Sequence, residues 1–389
     1  MSQSQNFLEE KTSFGEASGV EDEQIDRDED ISVIGEPFNP DKIDVATRSM
    51  TIDLLLSRIK SNAIDLEPDF QRRRGIWTDR QQSRLIESLL LKIPLPTLYA
   101  AEDEEENWVI VDGIQRLTTI TRFMDPDIIS ETRLILGGLE YLGSAFNGKS
   151  FQGLSSRFQR RLRETELVVH LIKHGTPEEV KFNIFARINT GGLPLSSQEL
   201  RHALIPGRAR SFLADLAGTV EFKAATSNSI RDERMADREM VLRFIAFKLN
   251  PPQQYKAYDF DRFLGDTMRE INGKSEDFLN SLKRDFRSAL RAALKIFEQD
   301  AFRKRYRVSD ARYPVNKALF ETFVVNLANI GSSRRQGCID NKDLVKNEFM
   351  LLMNTREFES SISQGTGDIA KVRRRFGEVE ALLVRCSND

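Results

Sequence analysis

The sequence predicts an α+β fold, with a mixed N-terminal core followed by an all-α half. Two observations predict this class. Short apolar runs typical of strands alternate with helix signals through residue 205, whereas strand signals are missing after residue 210 and long amphipathic helices replace them. Pro206 and Gly207 interrupt the pattern between these regions. We therefore predict a core over residues 46–205 and a helical domain over residues 206–389.

Residues 1–45 have the composition of a disordered acidic tail. They carry 13 Asp and Glu against 3 Lys and Arg, with few large apolar side chains. The rest of the chain has 54 basic and 47 acidic residues, so the body is basic although the whole chain has a net charge of -3. Such a tail could mimic nucleic acid and mask the basic body, or it could be a solvated segment without that role. The composition favours the second interpretation.

The core is predicted to alternate helices with strands. Apolar side chains at helical spacing predict helices that begin near residues 52, 78, 115, 177 and 196. Three of these starts have a predicted capping residue, namely Thr78, Thr176 and Ser196. Apolar runs predict strands at residues 97–100, 108–111 and 167–172, the first two forming a hairpin. Residues 125–165 give few signals. In the helical half, a regular apolar repeat predicts a helix over residues 275–300.

Composition excludes several protein classes. The longest apolar stretches are far shorter than the roughly 18 residues that a bilayer span needs, and the first residues lack the regions of a secretory signal. Two cysteines, Cys338 and Cys386, cannot build a disulfide scaffold or a structural zinc site. We expect a protein of the reducing cytoplasm with no membrane partner.

The first polar cluster lies just before the helix at residue 78. Gln71 and Arg72 begin a run of three arginines that ends near Trp77. Guanidinium groups bind phosphate oxygens bidentately, so the run suits contact with phosphate or nucleic acid. The alternative is a solvated loop with Trp77 packed into the core, and the residues alone leave both interpretations open for Gln71 and Arg72.

The second cluster joins a buried strand to a helix. Asp112 and Gly113 end the strand, and Arg116 lies in the first helical turn. Backbone N–H groups at such a helix start favour an anion, and glycine lets a phosphate approach the backbone closely. Asp112 could then hold Mg²⁺ or orient a water, and Arg116 could neutralise a transferred phosphoryl group. The alternative, favoured by the spacing alone, is a structural Asp–Arg pair one turn apart.

The third cluster lies at the end of the helix that begins near residue 177. Arg187 is on its polar face, and Asn189 opens an Asn-Thr-Gly-Gly sequence. This sequence is typical of a helix C-cap with glycine in the left-handed conformation. It could also offer successive N–H groups to a phosphate. On its own, the cap interpretation is favoured.

The residues present exclude several kinds of catalytic site. The three histidines are His170, His174 and His202, so an HNH nuclease motif cannot be assembled, least of all in the C-terminal half. The sequence also lacks a Walker P-loop and a Gly-x-Ser-x-Gly nucleophile elbow. A nucleotide would therefore be bound by another architecture.

Four separated motifs, in their order and spacing, resemble the N-terminal domain family of the GmrSD-type restriction endonucleases. They are PDFQRRRGIW at 68–77, SRLIESLLLKIPLPTLY at 83–99, VIVDGIQRLTTITRF at 109–123 and FARINTGGLPLSSQELRHAL at 185–204. The resemblance implies a ParB/sulfiredoxin-like α+β core with a nucleotide-binding site. It also implies a place in bacterial systems that restrict modified phage DNA.

Carried over by motif, the resemblance implies a set of site residues. The implied catalytic residues are Asp112, Gln115 and Arg116, with Asp112 also a metal ligand, and the implied nucleotide-binding residues are Gln71, Arg72, Gly113, Arg187 and Asn189. The implied cofactors are a nucleoside triphosphate and Mg²⁺. Ile114 stands where the family motif has glutamine, and an aliphatic side chain makes no amide hydrogen bond. Hydrolysis would therefore weaken before nucleotide binding does.

These observations lead to one principal hypothesis and two alternatives. The principal one is a nucleotide-binding, NTP-hydrolysing regulator or sensor of a DNA-restriction system that acts with a separate nuclease. The alternatives are a non-enzymatic module that binds DNA or protein, and direct cleavage of DNA by the ParB-like core. The helical half would contact the DNA backbone through basic side chains. Those candidates are Arg303, Lys304, Arg305, Arg307 and Arg373–Arg375.

Overall fold

The computed structural model describes residues 9–12, 16–23, 43–66, 77–188, 196–231, 234–256 and 259–387. The chain divides into two compact units. We call Phe38–Leu204 the sheet unit, and Met1–Pro37 with Ile205–Asp389 the helical unit. The division between the core and the helical half therefore falls between Leu204 and Ile205 in the structure.

The described strands form two sheets. They are β1 (Glu9–Lys11), β2 (Ala17–Glu21), β3 (Val45–Thr51), β4 (Ile64–Asp65), β5 (Leu98–Glu102), β6 (Trp108–Asp112) and β7 (Glu166–Ile172). The antiparallel pair β1–β2 belongs to the helical unit. The sheet unit contains a five-stranded sheet in the spatial order β3-β7-β5-β6-β4. In it β3–β7 and β5–β6 are antiparallel, whereas β7–β5 and β6–β4 are parallel.

The described helices of the sheet unit pack around this sheet. They are α1 (Ile52–Lys60), α2 (Asp79–Leu90), α3 (Ile114–Met124), α4 (Gly143–Phe146), α5 (Ser156–Glu164), α6 (Glu178–Ile188) and α7 (Ser197–Leu204). The apolar faces of α1, α2 and α3 join one core cluster with side chains of the sheet, among them Trp108 and Val169. This mixture of sheet and helices confirms the predicted α+β class and the predicted β5–β6 hairpin.

Capping chemistry at three helix starts was predicted from sequence, and the structure confirms two of the three. The Thr78 and Gln81 side chains each bond the other's backbone at the start of α2, and Ser196 and Glu199 do the same before α7. Before α6, Thr176 is buried, and its Oγ1 instead bonds the backbone N–H and C=O of Asp44. The predicted cap is wrong there because β3 begins close by and offers Thr176 these groups.

The helical unit buries long helices against one another. Its described helices are α8 (Arg208–Ala217), α9 (Val220–Ala225), α10 (Ala236–Leu249), α11 (Phe260–Gly273), α12 (Glu276–Phe297), α13 (Lys317–Asn329), α14 (Ser332–Asp340), α15 (Lys342–Met353), α16 (Arg356–Ser363) and α17 (Ile369–Cys386). Helix α12 confirms the predicted helix over residues 275–300. In the described part of the chain, none of the helices combines the length and apolar character needed to span a membrane.

The structure differs from the predicted acidic tail at its described residues. Residues 9–12 and 16–23 form the β1–β2 hairpin of the helical unit, with Val20 fully buried. The N–H of Glu21 donates to the Val315 carbonyl at 2.8 Å, and the N–H of Val315 donates to the Gly19 carbonyl at 3.0 Å. Composition wrongly predicted disorder for this segment, because its few apolar side chains and its carboxylates have specific partners in the helical unit. The other residues of the predicted tail up to residue 42 lie outside the described ranges.

Candidate functional site

The turn from β6 to α3 is built around a glycine in the left-handed region. Asp112 ends the strand, Gly113 has φ 91° and is the N-cap residue, and α3 begins at Ile114. A Cβ atom on Gly113 would lie 2.2 Å from Leu98 Cδ2. The turn therefore requires glycine for its conformation and for its packing against β5.

Arg116 ties the start of α3 to the segment before β5. Its Nη2 donates to Asp112 Oδ2 at 2.8 Å, and its Nη1 donates to the carbonyl oxygens of Thr97, at 3.2 Å, and of Pro96. The Arg116 side chain is 11% exposed and that of Asp112 is 37% exposed. The structural Asp–Arg pair that the spacing favoured is thus present, and the carboxylate remains open to solvent beside it.

The same turn offers groups that suit an anion. The N–H groups of the first turn of α3 have no partner within the helix, and the positive end of the helix dipole lies at Gly113. Gln115 is partly buried, and among the described residues its side-chain amide makes no hydrogen bond to protein. Unpaired amide and N–H donors next to a glycine are the groups that hold phosphate oxygens at other helix N-termini.

The described residues do not form a complete metal site. Nowhere among them are three His, Cys, Asp or Glu side chains grouped closely enough to hold an ion. Mg²⁺, however, is usually held by one or two carboxylates together with waters and substrate phosphates. Asp112 fits such a role only with a phosphate present, and it would share its charge with Arg116.

The comparison with known families gives a match over much of the sheet unit. Residues 52–206 match the family described as the GmrSD restriction endonuclease, N-terminal domain. The chain carries a GmrSD N-terminal domain. The match spans α1 to α7 and includes the β6–α3 turn. The chain as a whole matches none of the curated proteins searched.

Ile114 belongs to the core of the GmrSD N-terminal domain. Its side chain is 6% exposed and packs in the same cluster as Leu117 and Ile120. The position that departs from the family motif is therefore filled by a core side chain. In this chain the amide next to the turn is that of Gln115, which is partly buried.

The structure places four of the eight predicted site residues together. Asp112, Gly113, Gln115 and Arg116 form the β6–α3 turn. Arg187 lies in α6, and its side chain is outside the described part of the structure. The remaining three, Gln71, Arg72 and Asn189, lie outside the described residues.

A row of polar side chains extends from Asp112 across the sheet, and sequence analysis missed it. Strand register aligns Asp112 with Tyr99, Tyr99 with His170, and His170 with Thr47. The Tyr99 and His170 rings lie 5.0 Å apart, and Thr47 Oγ1 is 2.9 Å from His170 Nδ1. These residues are far apart in the sequence, so only the order of the strands brings them together. Their alternation with buried residues in β5 and β7 was the available signal.

The basic side chains predicted to contact DNA divide into two groups. Arg303, Lys304 and Arg375 are buried; Arg375 pairs with Glu321, and Arg303 donates to the Tyr313 carbonyl. Burial lowers the pKa of Arg303 to about 10. The prediction is wrong for Arg303 and Arg375, because both fill internal polar sites. Lys304 is paired with Glu21 and Glu359 in this structure. Of the other four, Arg307, Arg373 and Arg374 are exposed, and Arg305 is half-buried beside Asp300.

Proposed function

We propose that this chain is a nucleotide-binding sensor or regulatory component of a DNA-restriction or phage-defence system. In this proposal the GmrSD N-terminal domain is a ParB-like core that binds a nucleoside triphosphate at the β6–α3 turn. The helical unit contacts DNA, and a separate nuclease performs the cleavage. The observation that carries the proposal is the left-handed Gly113 turn, which joins an exposed carboxylate to unpaired donors at a helix start.

Each residue of the turn has a distinct part in this proposal. The N–H groups that follow Gly113 and the amide of Gln115 bind phosphate oxygens. Asp112 would hold Mg²⁺ together with the bound phosphate, and the ion would neutralise charge on the transferred phosphoryl group. Arg116 keeps the Asp112 carboxylate in place through the 2.8 Å contact.

A second candidate is binding of the nucleotide without turnover. Among the described residues, the turn presents a single carboxylate, Asp112, and no histidine lies beside it to serve as a general base. A domain with such a site could change conformation when the nucleotide binds and dissociates. It would then respond to the nucleotide concentration without hydrolysing the nucleotide. Measurement of phosphate release distinguishes the two candidates.

Calorimetry with the four ribonucleoside triphosphates, with and without Mg²⁺, tests the site. Gln115→Ala removes one phosphate-directed hydrogen bond, so affinity should fall by a factor of about 2 to 12, equivalent to roughly 0.5–1.5 kcal/mol. Gln152→Ala, which removes an exposed amide elsewhere in the sheet unit, is the matched control and should leave affinity unchanged. If Gln115→Ala and Gln152→Ala bind the triphosphate with equal affinity, the nucleotide does not bind at the β6–α3 turn.

Hydrolysis is tested separately by phosphate release. Asp112→Asn keeps the size of the side chain and removes its charge, so Mg²⁺-dependent release should be lost while binding without Mg²⁺ persists. Release that is equal in wild type and Asp112→Asn would assign turnover to other residues. If the wild type releases no phosphate yet binds the triphosphate, the binding-only candidate holds.

A further inference from the structure

The β1–β2 hairpin places four carboxylates on four cations of the helical unit. Glu10 pairs with Lys317, Glu16 with Arg231, Glu21 with Lys304 and Glu23 with Arg243. The Glu23–Arg243 contact is bidentate, with N–O distances of 2.6 and 2.8 Å, and the Glu21–Lys304 distance is 2.6 Å. We call the helical residues Arg231, Arg243, Lys304 and Lys317 the basic groove.

Three of these cations are buried while the hairpin is in place. The side chains of Lys317, Arg243 and Lys304 are 5%, 3% and 8% exposed. Charges buried to this degree are costly unless each is paired. Carboxylates of the helices meet only part of this need: Glu239 contacts Arg243 and Lys317. Glu321 lies 3.6 Å from Arg243 and also pairs with Arg375, and Glu359 lies 3.4 Å from Lys304. The hairpin supplies the remaining negative charge.

The basic groove also has neutral groups that suit a polyanion. Asn316 Nδ2 donates to Glu21 at 3.1 Å, and Thr366 Oγ1 donates to Glu23 at 2.9 Å. The Arg243 guanidinium lies 4.8 Å from the ring centre of Phe260, which orients its plane. Arginine binds a phosphate with the same two-bond geometry that it uses here for the Glu23 carboxylate, and lysine and amide groups bind phosphate oxygens equally well.

The carboxylate of Glu23 is charged at neutral pH. Burial raises its pKa, but Arg243 and Lys317 outweigh that effect, so the pKa lies below its ordinary value. Glu23 is therefore a fixed negative charge against Arg243, whereas burial raises the pKa of Glu10 above its ordinary value despite the neighbouring Lys317.

We propose that the basic groove is a binding site for the phosphodiester backbone of DNA and that the chain's own acidic hairpin occupies it in this structure. The hairpin thereby masks the groove, and DNA binding displaces the hairpin. This inference rests on the DNA contact of the proposed function and specifies where that contact is made and how it is regulated. It is independent of nucleotide binding at the β6–α3 turn.

Neutralising one hairpin carboxylate in the full chain tests the masking. Glu23→Gln weakens the hairpin's hold on Arg243, so a fluorescein-labelled DNA duplex should bind roughly tenfold more tightly by anisotropy, equivalent to about 1.4 kcal/mol. Asp22→Asn is the matched control: Asp22 is exposed, and in the described part of the chain it makes no ion pair. This variant removes the same charge from the same segment and should change affinity much less.

Hydrogen exchange on the wild-type chain gives a readout that does not depend on a variant. The amides of Glu21 and Val315 are protected by the bonds between the hairpin and the helical unit. Saturating DNA should increase their exchange if the hairpin leaves the groove. Protection that persists with DNA bound would overturn the displacement, even if Glu23→Gln fails to fold.

The outcomes separate the two levels of the inference. If the wild type and Glu23→Gln bind DNA equally and Glu23→Gln is folded, the DNA contact of the proposed function stands and the masking is wrong. If neither binds DNA at low salt, both are wrong, because a phosphate-binding groove must respond to duplex DNA under those conditions. If Glu23→Gln binds DNA more tightly and the double variant Glu23→Gln/Lys304→Gln loses that gain, the DNA contact is in the basic groove.

Discussion

Gly113 is subject to two separate constraints, and a pair of variants can separate them. Its φ of 91° disfavours any side chain, and its Cβ position overlaps Leu98. Gly148 has a similar φ of 80°, but no described heavy atom lies within 4 Å of its Cβ position. The two glycines therefore share the backbone constraint and differ in the packing constraint.

Gly113→Ala should destabilise the sheet unit more than Gly148→Ala does. Left-handed strain costs about 1–2 kcal/mol at either position, and the overlap with Leu98 adds about 1–3 kcal/mol at Gly113 alone. Denaturant unfolding followed by tryptophan fluorescence measures both, since the two tryptophans, Trp77 and Trp108, lie in the sheet unit. Equal losses would show that β5 shifts to accept the new methyl group.

Arg116 shows what the sequence could and could not reveal at a single residue. The spacing of Asp112 and Arg116 predicted an ion pair one turn apart, and the structure confirms it. The other two acceptors, the carbonyls of Pro96 and Thr97, come from a segment before β5 whose approach depends on the whole hairpin. A motif therefore identified the residue, and tertiary packing determined how its guanidinium is used.

At the scale of elements, one carboxylate organises a region that the sequence left undefined. Glu87 on α2 is 3% exposed and accepts from the backbone N–H groups of Glu140, Tyr141 and Leu142 at 2.7–2.9 Å. Helix periodicity predicted the buried leucines of α2, but it gave no reason for a buried glutamate. The partners lie more than 50 residues away in a segment of short turns and helices, which carries little periodic signal.

Glu87→Gln should destabilise the sheet unit by about 1–3 kcal/mol. An amide oxygen is a weaker acceptor than a carboxylate oxygen, and the NH₂ group of the amide would face the backbone N–H donors. Burial raises the pKa of Glu87, but the three backbone N–H groups outweigh it and hold the pKa below the ordinary value of 4.5. The stabilisation is therefore fully present above pH 4.5 and is lost as pH falls through the lower folded pKa. The difference between wild type and variant should shrink over that range.

Glu131→Gln provides the control for this pH series, because Glu131 is exposed and carries the same charge. Urea unfolding at several pH values gives both comparisons. A Glu87→Gln defect that is constant from neutral pH to well below pH 4.5 would contradict the role of the charged carboxylate.

At the scale of the whole molecule, the acidic segment shows where composition is an incomplete guide. Its charge predicted disorder, yet residues 9–12 and 16–23 are part of the helical unit. Their partners Arg243, Lys304 and Lys317 lie more than 200 residues later, and no local pattern marks them as buried. The class of fold, the β5–β6 hairpin and six of the described helices followed from local periodicity, whereas the pairing of distant charges did not.

A truncated chain that starts at Phe38, the first residue of the sheet unit, should lose stability in the helical unit alone. Removal of the hairpin exposes the core position that Val20 fills and takes the Glu23 carboxylate away from Arg243. Breaking one buried pair costs about 3–5 kcal/mol. At roughly 2–4 °C per kcal/mol, the melting temperature followed by far-UV circular dichroism should fall by roughly 6 °C or more. Tryptophan fluorescence, which reports the sheet unit, should show an unchanged midpoint.

Duplex DNA should restore part of that loss in the truncated chain and do less for the full chain. A ligand that binds only the folded state raises its stability. In the truncated chain the phosphates would meet cations that no longer have the carboxylates of the hairpin. Removing residues 1–8 alone keeps the hairpin and serves as the control, with no change expected in either transition. If the circular dichroism midpoint is the same in the full chain and both truncated chains, the hairpin adds no stability to the helical unit. If DNA raises that midpoint equally in all three chains, the hairpin does not act as a mask.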